Sequence, residues 1–395
     1  MNPKTRLLTP GPTPLPEKVR LALAQDMIHH RKAAFQGHMQ RVQTGLKELF
    51  WTSEPVLPLT CSGSGAMEAA VTNLFQPGDR VLVVEGGKFG QRWRQICERY
   101  GLEVEPLQVE WGCGADPAAV AKRLSADGPF QGLLVQASET STGVLHPIRD
   151  LAQALQGHET LLVVDGISAV GVSPCPMDAW GIDCLLTGSQ KGLMLPPGMA
   201  LLSLSQRAWR RVEANPRPPF YFNLLGERQR NAGNQTLYTS PVSHIFGLEA
   251  CLELVLESGL ESLYRSQWAL THMARAGIEA MGLSLLVRDC YTWGLTSVRL
   301  PEDIDGQEVL SLAASEYGAV LAGGQDHLKG RIVRLGHMGY VDWGDVLAGL
   351  SALGRSCQRL GATIDLQAGL AAGLAAYEHE LSTFTLENHT QPLAP

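Results

Sequence analysis

The chain has 395 residues, of which 45% are apolar and 18% charged, and its formal net charge is -7. That length exceeds the roughly 250 to 300 residues at which a single core stops growing, so two domains are expected, and the ordinary composition places the chain among globular proteins. The acidic balance without a basic cluster argues against nucleic acid or an anionic membrane as partner. No apolar run approaches the roughly 20 residues of a membrane helix, and the N-terminus MNPKTRLLTPGPTP has no signal-peptide core, so a soluble, cytoplasmic protein is expected.

Thr9 to Pro16 carries four prolines and reads as an extended arm with fixed turns. Helical spacing follows over Glu17 to Asp26 and again over Gly37 to Phe50, with Val42, Leu46 and Leu49 on one face. Next comes a small-residue turn, Ser62-Gly63-Ser64-Gly65, opening straight into a good helix former. Such a junction offers unpaired backbone N–H groups and the positive end of the helix dipole to an anion, although a plain helix cap has the same pattern. It is neither a dinucleotide G-x-G-x-x-G motif nor a P-loop.

From there, apolar runs alternate with helix-length segments such as Phe89 to Tyr100 and Pro117 to Leu124. The runs are Val81 to Val84, Leu133 to Val135, Leu161 to Val164, Ile182 to Leu186 and Met199 to Leu204. Continuous apolar runs between helices indicate an α/β fold with a mainly parallel sheet covered on both faces, which binds ligands beyond the carboxyl ends of its strands. Three stretches fall at those ends: one around Phe89, one around Thr140, and Asp165-Gly-Ile167. An acid closing the run Leu161 to Asp165 is either a cap for the next segment or a partner for a protonated ring nitrogen or a metal.

The eight cysteines are scattered singly with no C-x-x-C pair, which excludes the usual zinc and iron-sulfur spacings and gives no disulfide framework. The eleven histidines contain no H-E-x-x-H. No metal site is expected.

Between Asp183 and Arg207 the only formally charged side chain is Lys191, on a connection between two buried runs. A lysine there is either an ordinary loop residue or, in dry surroundings, an amine that sheds its proton and attacks a carbonyl. Pyridoxal phosphate would use every unusual feature at once. It needs a lysine for its Schiff base (Lys191), an acid facing its pyridinium nitrogen (Asp165), a phosphate cradle (Ser62 to Ser64), and side chains on its ring faces (Phe89 and Ile167).

The motifs SGSGAMEAA, GKFGQR, ETSTGVLHP, LLVVDGISAVG, GSQKGLMLPPG and RIVRLGHMG together resemble the class V aminotransferases of fold type I, in particular the alanine/serine:glyoxylate group. The resemblance runs from Pro10-Gly-Pro-Thr13 to about residue 355. It implies catalytic roles for Lys191 and Asp165, with Ser62, Gly63, Ser64 and Gln190 at the phosphate, Phe89 and Ile167 sandwiching the ring, and Thr140 on the ring hydroxyl. Family members often carry tryptophan where Phe89 stands, so stacking is expected over less area. Arg334 matches the carboxylate clamp, although by itself it reads equally as a strand arginine facing water. Thr239 matches a threonine that reaches the phosphate of the partner subunit, which implies a homodimer with sites at the subunit interface. A neighbouring family tyrosine is replaced by Thr236, so that contact differs here from the family's pattern.

The same resemblance gives an N-terminal arm (1–20), a large cofactor-binding domain (21–258), a small α/β domain (259–365) and a C-terminal helix and tail (366–395). A helix over His244 to Glu257 leads into the small domain, with strands at Thr296 to Leu300 and Arg331 to Leu335. Leu366, Leu370, Leu374 and Tyr377 mark a final amphipathic helix, and the last ten residues are expected to be disordered. The implied reaction is transamination between alanine or serine and glyoxylate or another 2-oxo acid. The alternatives are another amino donor, a desulfurase or lyase on the same fold, and a redox subunit of the kind labelled soluble hydrogenase subunit, which the unpaired cysteines argue against.

Overall fold

The computed structural model describes residues 3–393. A short strand, Arg6–Leu7 (β1), leads into the proline-rich arm and then helices Glu17–Leu23 (α1) and Ala33–Phe50 (α2). Strands and helices then alternate: Val56–Leu59 (β2), Gly63–Leu74 (α3), Arg80–Glu85 (β3), Lys88–Arg99 (α4), Glu103–Gln108 (β4), Pro117–Asp127 (α5) and Gly132–Gln136 (β5). A small hairpin, Ser138–Glu139 (β6) with Val144–Leu145 (β7), precedes Ile148–Ala154 (α6), Leu161–Asp165 (β8), Cys184–Gly188 (β9) and Ala200–Leu204 (β10). Helices Gln206–Glu213 (α7), Leu224–Asn231 (α8) and Val242–Glu257 (α9) complete this part.

The seven-stranded sheet has the order β2-β10-β9-β8-β5-β3-β4. Neighbours from β9 through to β4 are parallel, and only β10 runs against its neighbours β9 and β2. Alternation along each strand divides the core in two. Leu82, Val84, Leu133, Val135, Leu162, Val164 and Leu185 face one cluster with α2 and α9. Val81, Val83, Leu134, Leu161, Val163, Cys184 and Leu186 face a second with α3 and α7. Fully burying each such valine or leucine contributes about 1.5–3 kcal/mol, so the sheet gives a firm platform for a site. All five apolar runs are strands. The two strands of this sheet missed by the sequence reading, β2 and β4, lie at its edges and carry Pro58 and Pro106, which an edge tolerates because one side of the strand needs no donor.

Gly259–Ala280 (α10), unforeseen from the sequence, opens a second unit. It continues through Ser284–Leu285 (β11), Leu295–Arg299 (β12), Gly306–Tyr317 (α11), Ala319–Val320 (β13), Ala322–Gly323 (β14), Ile332–Gly336 (β15), Trp343–Arg359 (α12) and Leu366–Thr383 (α13). Its sheet has the order β11-β12-β15-β14 and its own core, including Met273, Ile278, Val298, Val333, Leu335 and Leu350. The chain start joins this unit, since β1 pairs in parallel with β13.

Disorder was expected from residue 386 onward, yet residues 386–393 hold to the rest of the chain. Trp180 Nε1 donates to the Gln391 carbonyl at 3.0 Å, Arg149 Nη2 donates to that of Pro392 at 3.1 Å, and Leu393 packs against the larger core. His389 stacks on Phe384 with ring centroids 5.2 Å apart. Specific partners for backbone carbonyls outweigh the polar composition here. Ala394 and Pro395 fall outside the described residues.

Candidate active site

Every expected site residue of the larger unit except Thr239 stands just past the carboxyl end of a strand. Asp165 closes β8, Gln190 and Lys191 follow β9, Thr140 follows β5 through β6, Phe89 follows β3, and Ser62 to Ser64 follow β2. Ser62, Gly63, Ser64, Phe89, Thr140, Asp165, Ile167, Gln190 and Lys191 line one cavity of about 250 Å³.

The Lys191 loop is fixed from both sides. Ser189 Oγ donates to the Pro196 carbonyl at 2.6 Å and Ser189 N to the Met199 carbonyl at 2.9 Å, which closes the loop on itself. The N-terminal arm crosses over it: Thr13 N donates to the Gln190 carbonyl at 3.2 Å, Thr13 Oγ1 to that of Lys191 at 3.0 Å, and Lys191 Nζ to that of Pro10. Burial lowers the Lys191 pKa to about 8, against the pull of Asp165 and with the help of Arg334. A useful fraction of the amine is therefore neutral near pH 7–8.

Burial likewise pushes Asp165 up to about 7, opposed by the Ile167 N–H donated to Oδ1 at 2.8 Å and by the charges of Arg92 and Lys191, while Glu139 adds to the rise. The bond to Ile167 is the local turn expected of a capping acid. It occupies one oxygen and leaves the acid as part of the cavity wall.

Arg334 on β15 approaches from the smaller unit. Its Nε donates to the Gly323 carbonyl at 2.9 Å and its Nη1 to that of Thr140, and Nη2 makes no hydrogen bond among the described residues. The guanidinium stands at the cavity edge rather than in its lining, and burial brings its pKa down to about 10. Thr239 is the exception. It is exposed and borders a separate depression with Tyr221, Phe222, Thr236 and Tyr238. Thr236 points into its own loop, where Oγ1 donates to the Tyr238 carbonyl at 2.7 Å.

The family described as Aminotransferase class-V matches residues 16–339. The chain belongs to the class-V aminotransferases. Among its relatives is the soluble hydrogenase small subunit of a Synechococcus strain, 38% identical over 97% of this chain and 100% of that one. The L-aspartate–glyoxylate aminotransferase of Paracoccus denitrificans is 34% identical over 97% of this chain and 98% of that one. The crystal structure of ureidoglycine–glyoxylate aminotransferase from Bacillus subtilis superposes with a TM-score of 0.89 at 31% identity, covering 96% of this chain and 99% of that one.

Class-V aminotransferases of this fold depend on pyridoxal 5'-phosphate. The residues present fit that group. Gln190 Oε1 is buried in the cavity region and has no partner among the described residues, as expected of an amide placed for a ligand. At Gly63 a Cβ would stand 2.4 Å from Ile167 Cδ1, so glycine at position 63 lets the ring-facing Ile167 pack directly against the cradle. The N-terminus of α3 has no side-chain cap, which leaves its amides for an anion.

Two contributors escaped the sequence reading of this class-V aminotransferase. Glu139 is fully buried and caps α4 from another segment: its carboxylate accepts from Phe89 N at 3.0 Å, Gly90 N at 3.2 Å, Gln136 Nε2 at 3.0 Å, and Ser141 N at 3.1 Å. Burial raises its pKa while these donors restrain the rise. Arg92 lines the cavity with Phe89, and its spacing of three residues on one helix was the available signal.

Proposed function

We propose that this class-V aminotransferase transfers the amino group of a small L-amino acid, alanine or serine, to glyoxylate or another 2-oxo acid, as a cytoplasmic homodimer. The observation that carries the reading is that Lys191 and Asp165 line one cavity, with Arg334 bonded to the carbonyl of Thr140 in its wall. Ser62, Gly63, Ser64 and Gln190 would hold the phosphate, Phe89 and Ile167 the ring faces, Thr140 the ring hydroxyl, and Asp165 the ring nitrogen. When bound, the cofactor supplies the carbonyl that accepts the amino group and the electron sink that makes the substrate α-proton acidic.

The rest falls to the chain. Lys191, with its pKa near 8, would take the substrate α-proton as a general base. Asp165 would pair with the ring nitrogen and favour its protonated form. Arg334 grips the substrate carboxylate and sets the α-carbon beside Lys191. The names of two relatives, both acting with glyoxylate, support that acceptor. The exposed position of Thr239, beside Tyr221 and Tyr238, supports a role toward a second copy rather than toward its own cavity.

A desulfurase would need a reactive thiol, and Cys61, just before the cradle, has its thiol pushed up to about 12 by burial. The test is to incubate purified, cofactor-loaded protein with glyoxylate and alanine, serine or aspartate in turn, and to quantify glycine. Glycine formation with alanine or serine, lost in Lys191→Ala, is expected. Glycine from aspartate alone would reassign the donor, and no glycine from any donor would overturn the reading.

A further inference from the structure

The charge in the cavity does not balance without Arg92. Only three charged side chains line it: Arg92, Asp165 and Lys191. A phosphate monoester carries about -1.5 to -2 charges near neutral pH, and the N-terminus of a helix such as α3 offsets only about half a charge. Lys191 is committed to the carbonyl, and Asp165 to the ring nitrogen. One cation remains.

Its geometry suits an oxyanion. Arg92 lies three residues after Phe89 on α4, on the same face, with its guanidinium carbon 4.8 Å from the centre of the Phe89 ring. From there Nη1 donates to Ser64 Oγ at 3.1 Å, which draws the guanidinium to the first turn of α3. Ser64 is the only hydrogen-bond partner of this guanidinium among the described residues, so its other N–H donors remain for a ligand. A planar fork held by an aromatic face and a hydroxyl is pre-organised for a tetrahedral oxyanion.

We propose that Arg92 is a phosphate-binding residue, whose guanidinium, seated on Phe89 and tied to Ser64 Oγ, supplies the side-chain positive charge for the cofactor phosphate. The inference rests on the cofactor assignment above. It also accounts for a cradle built from serine hydroxyls, backbone amides and the Gln190 amide, none of which carries a formal charge.

The test compares two aldehydes that differ only in the phosphate. Cofactor-free protein is titrated with pyridoxal 5'-phosphate and with pyridoxal, following the visible absorbance of the bound aldehyde, for the parent, Arg92→Gln and Arg92→Lys. The expected result is a loss of roughly 10- to 100-fold in affinity for pyridoxal 5'-phosphate in Arg92→Gln, with pyridoxal affinity unchanged, and a smaller loss in Arg92→Lys. Inorganic phosphate should raise the melting temperature of the parent and not that of Arg92→Gln. Equal losses for both aldehydes would make Arg92 a support for Phe89 and overturn the proposal, as would no loss for either. If Arg92→Gln does not fold, the ratio of the two affinities in Arg92→Lys decides: a ratio equal to the parent's overturns the proposal. A parent that binds both aldehydes alike, or neither, sinks the cofactor assignment itself and is thereby told apart from a failure of Arg92 alone.

Discussion

Gly11, in the N-terminal arm, stands where a side chain would collide with Lys191: a Cβ there would stand 2.5 Å from Nζ. Its φ of +99° adds a second reason for glycine, since other residues are strained there. Gly11→Ala is therefore expected to push the amine out of position. A fall in kcat of roughly 10- to 100-fold, from misplacement by about 1 Å, should accompany a stability loss of about 1–3 kcal/mol. Steady-state kinetics and thermal melts of the loaded protein measure both. An unchanged kcat would mean that the arm does not position Lys191.

Asp165 sets up an opposition between stability and function. Its pKa in the folded protein, about 7, lies above the ordinary carboxylate value of 3.8. Between about pH 4 and 7 the folded chain thus holds a proton that the unfolded chain has released, and stability falls as pH rises through that window. Three pKa units correspond to about 4 kcal/mol at most. In cofactor-free protein, Asp165→Asn should be more stable than the parent by about 2–4 kcal/mol above pH 7, with the difference vanishing below pH 4. Denaturant unfolding across pH measures this. The same variant should lose about 10²–10³-fold in kcat, because the group that holds the ring charge is gone.

Arg334→Lys keeps the charge but removes the fork. With one or two charge-assisted bonds lost, KM for both amino and oxo acid should rise roughly 10- to 100-fold while affinity for the cofactor stays constant. A parallel loss of cofactor affinity would place Arg334 in the cradle instead.

Glu139→Gln tests the remote cap on α4. The amide must turn its own donors toward at least one of the N–H groups that the carboxylate now satisfies. A stability loss of about 1–3 kcal/mol is expected, together with altered cofactor absorbance as Phe89 shifts. A variant with parental stability would show that the buried carboxylate is dispensable.

Much of this was legible in the sequence because the sheet is buried on both faces and its central strands read as unbroken apolar runs. Lys191 stood out because no other charge lies within its loop. Asp165 stood out because an acid ended such a run. Glu139 did not, since its role is to accept backbone N–H groups from residues fifty positions earlier, and no local pattern encodes that. The edge strands β2 and β4 escaped for a related reason: one side of each is unpaired, so prolines and charges are tolerated there. The tail over 386–393 read as loose because its attachment uses its own carbonyls, which every sequence has.

The two ends of the chain cross over. Arg6 and Leu7, near the start, pair with β13 of the smaller unit in a separate two-stranded sheet, while Gln391 to Leu393, near the finish, are fastened to the larger one through Trp180 and Arg149. Neither unit is therefore a contiguous stretch that could be cut out whole. Melting either one releases a terminus that braces the other, which couples their unfolding. Calorimetry should register one transition where the count of cores alone would lead one to look for two.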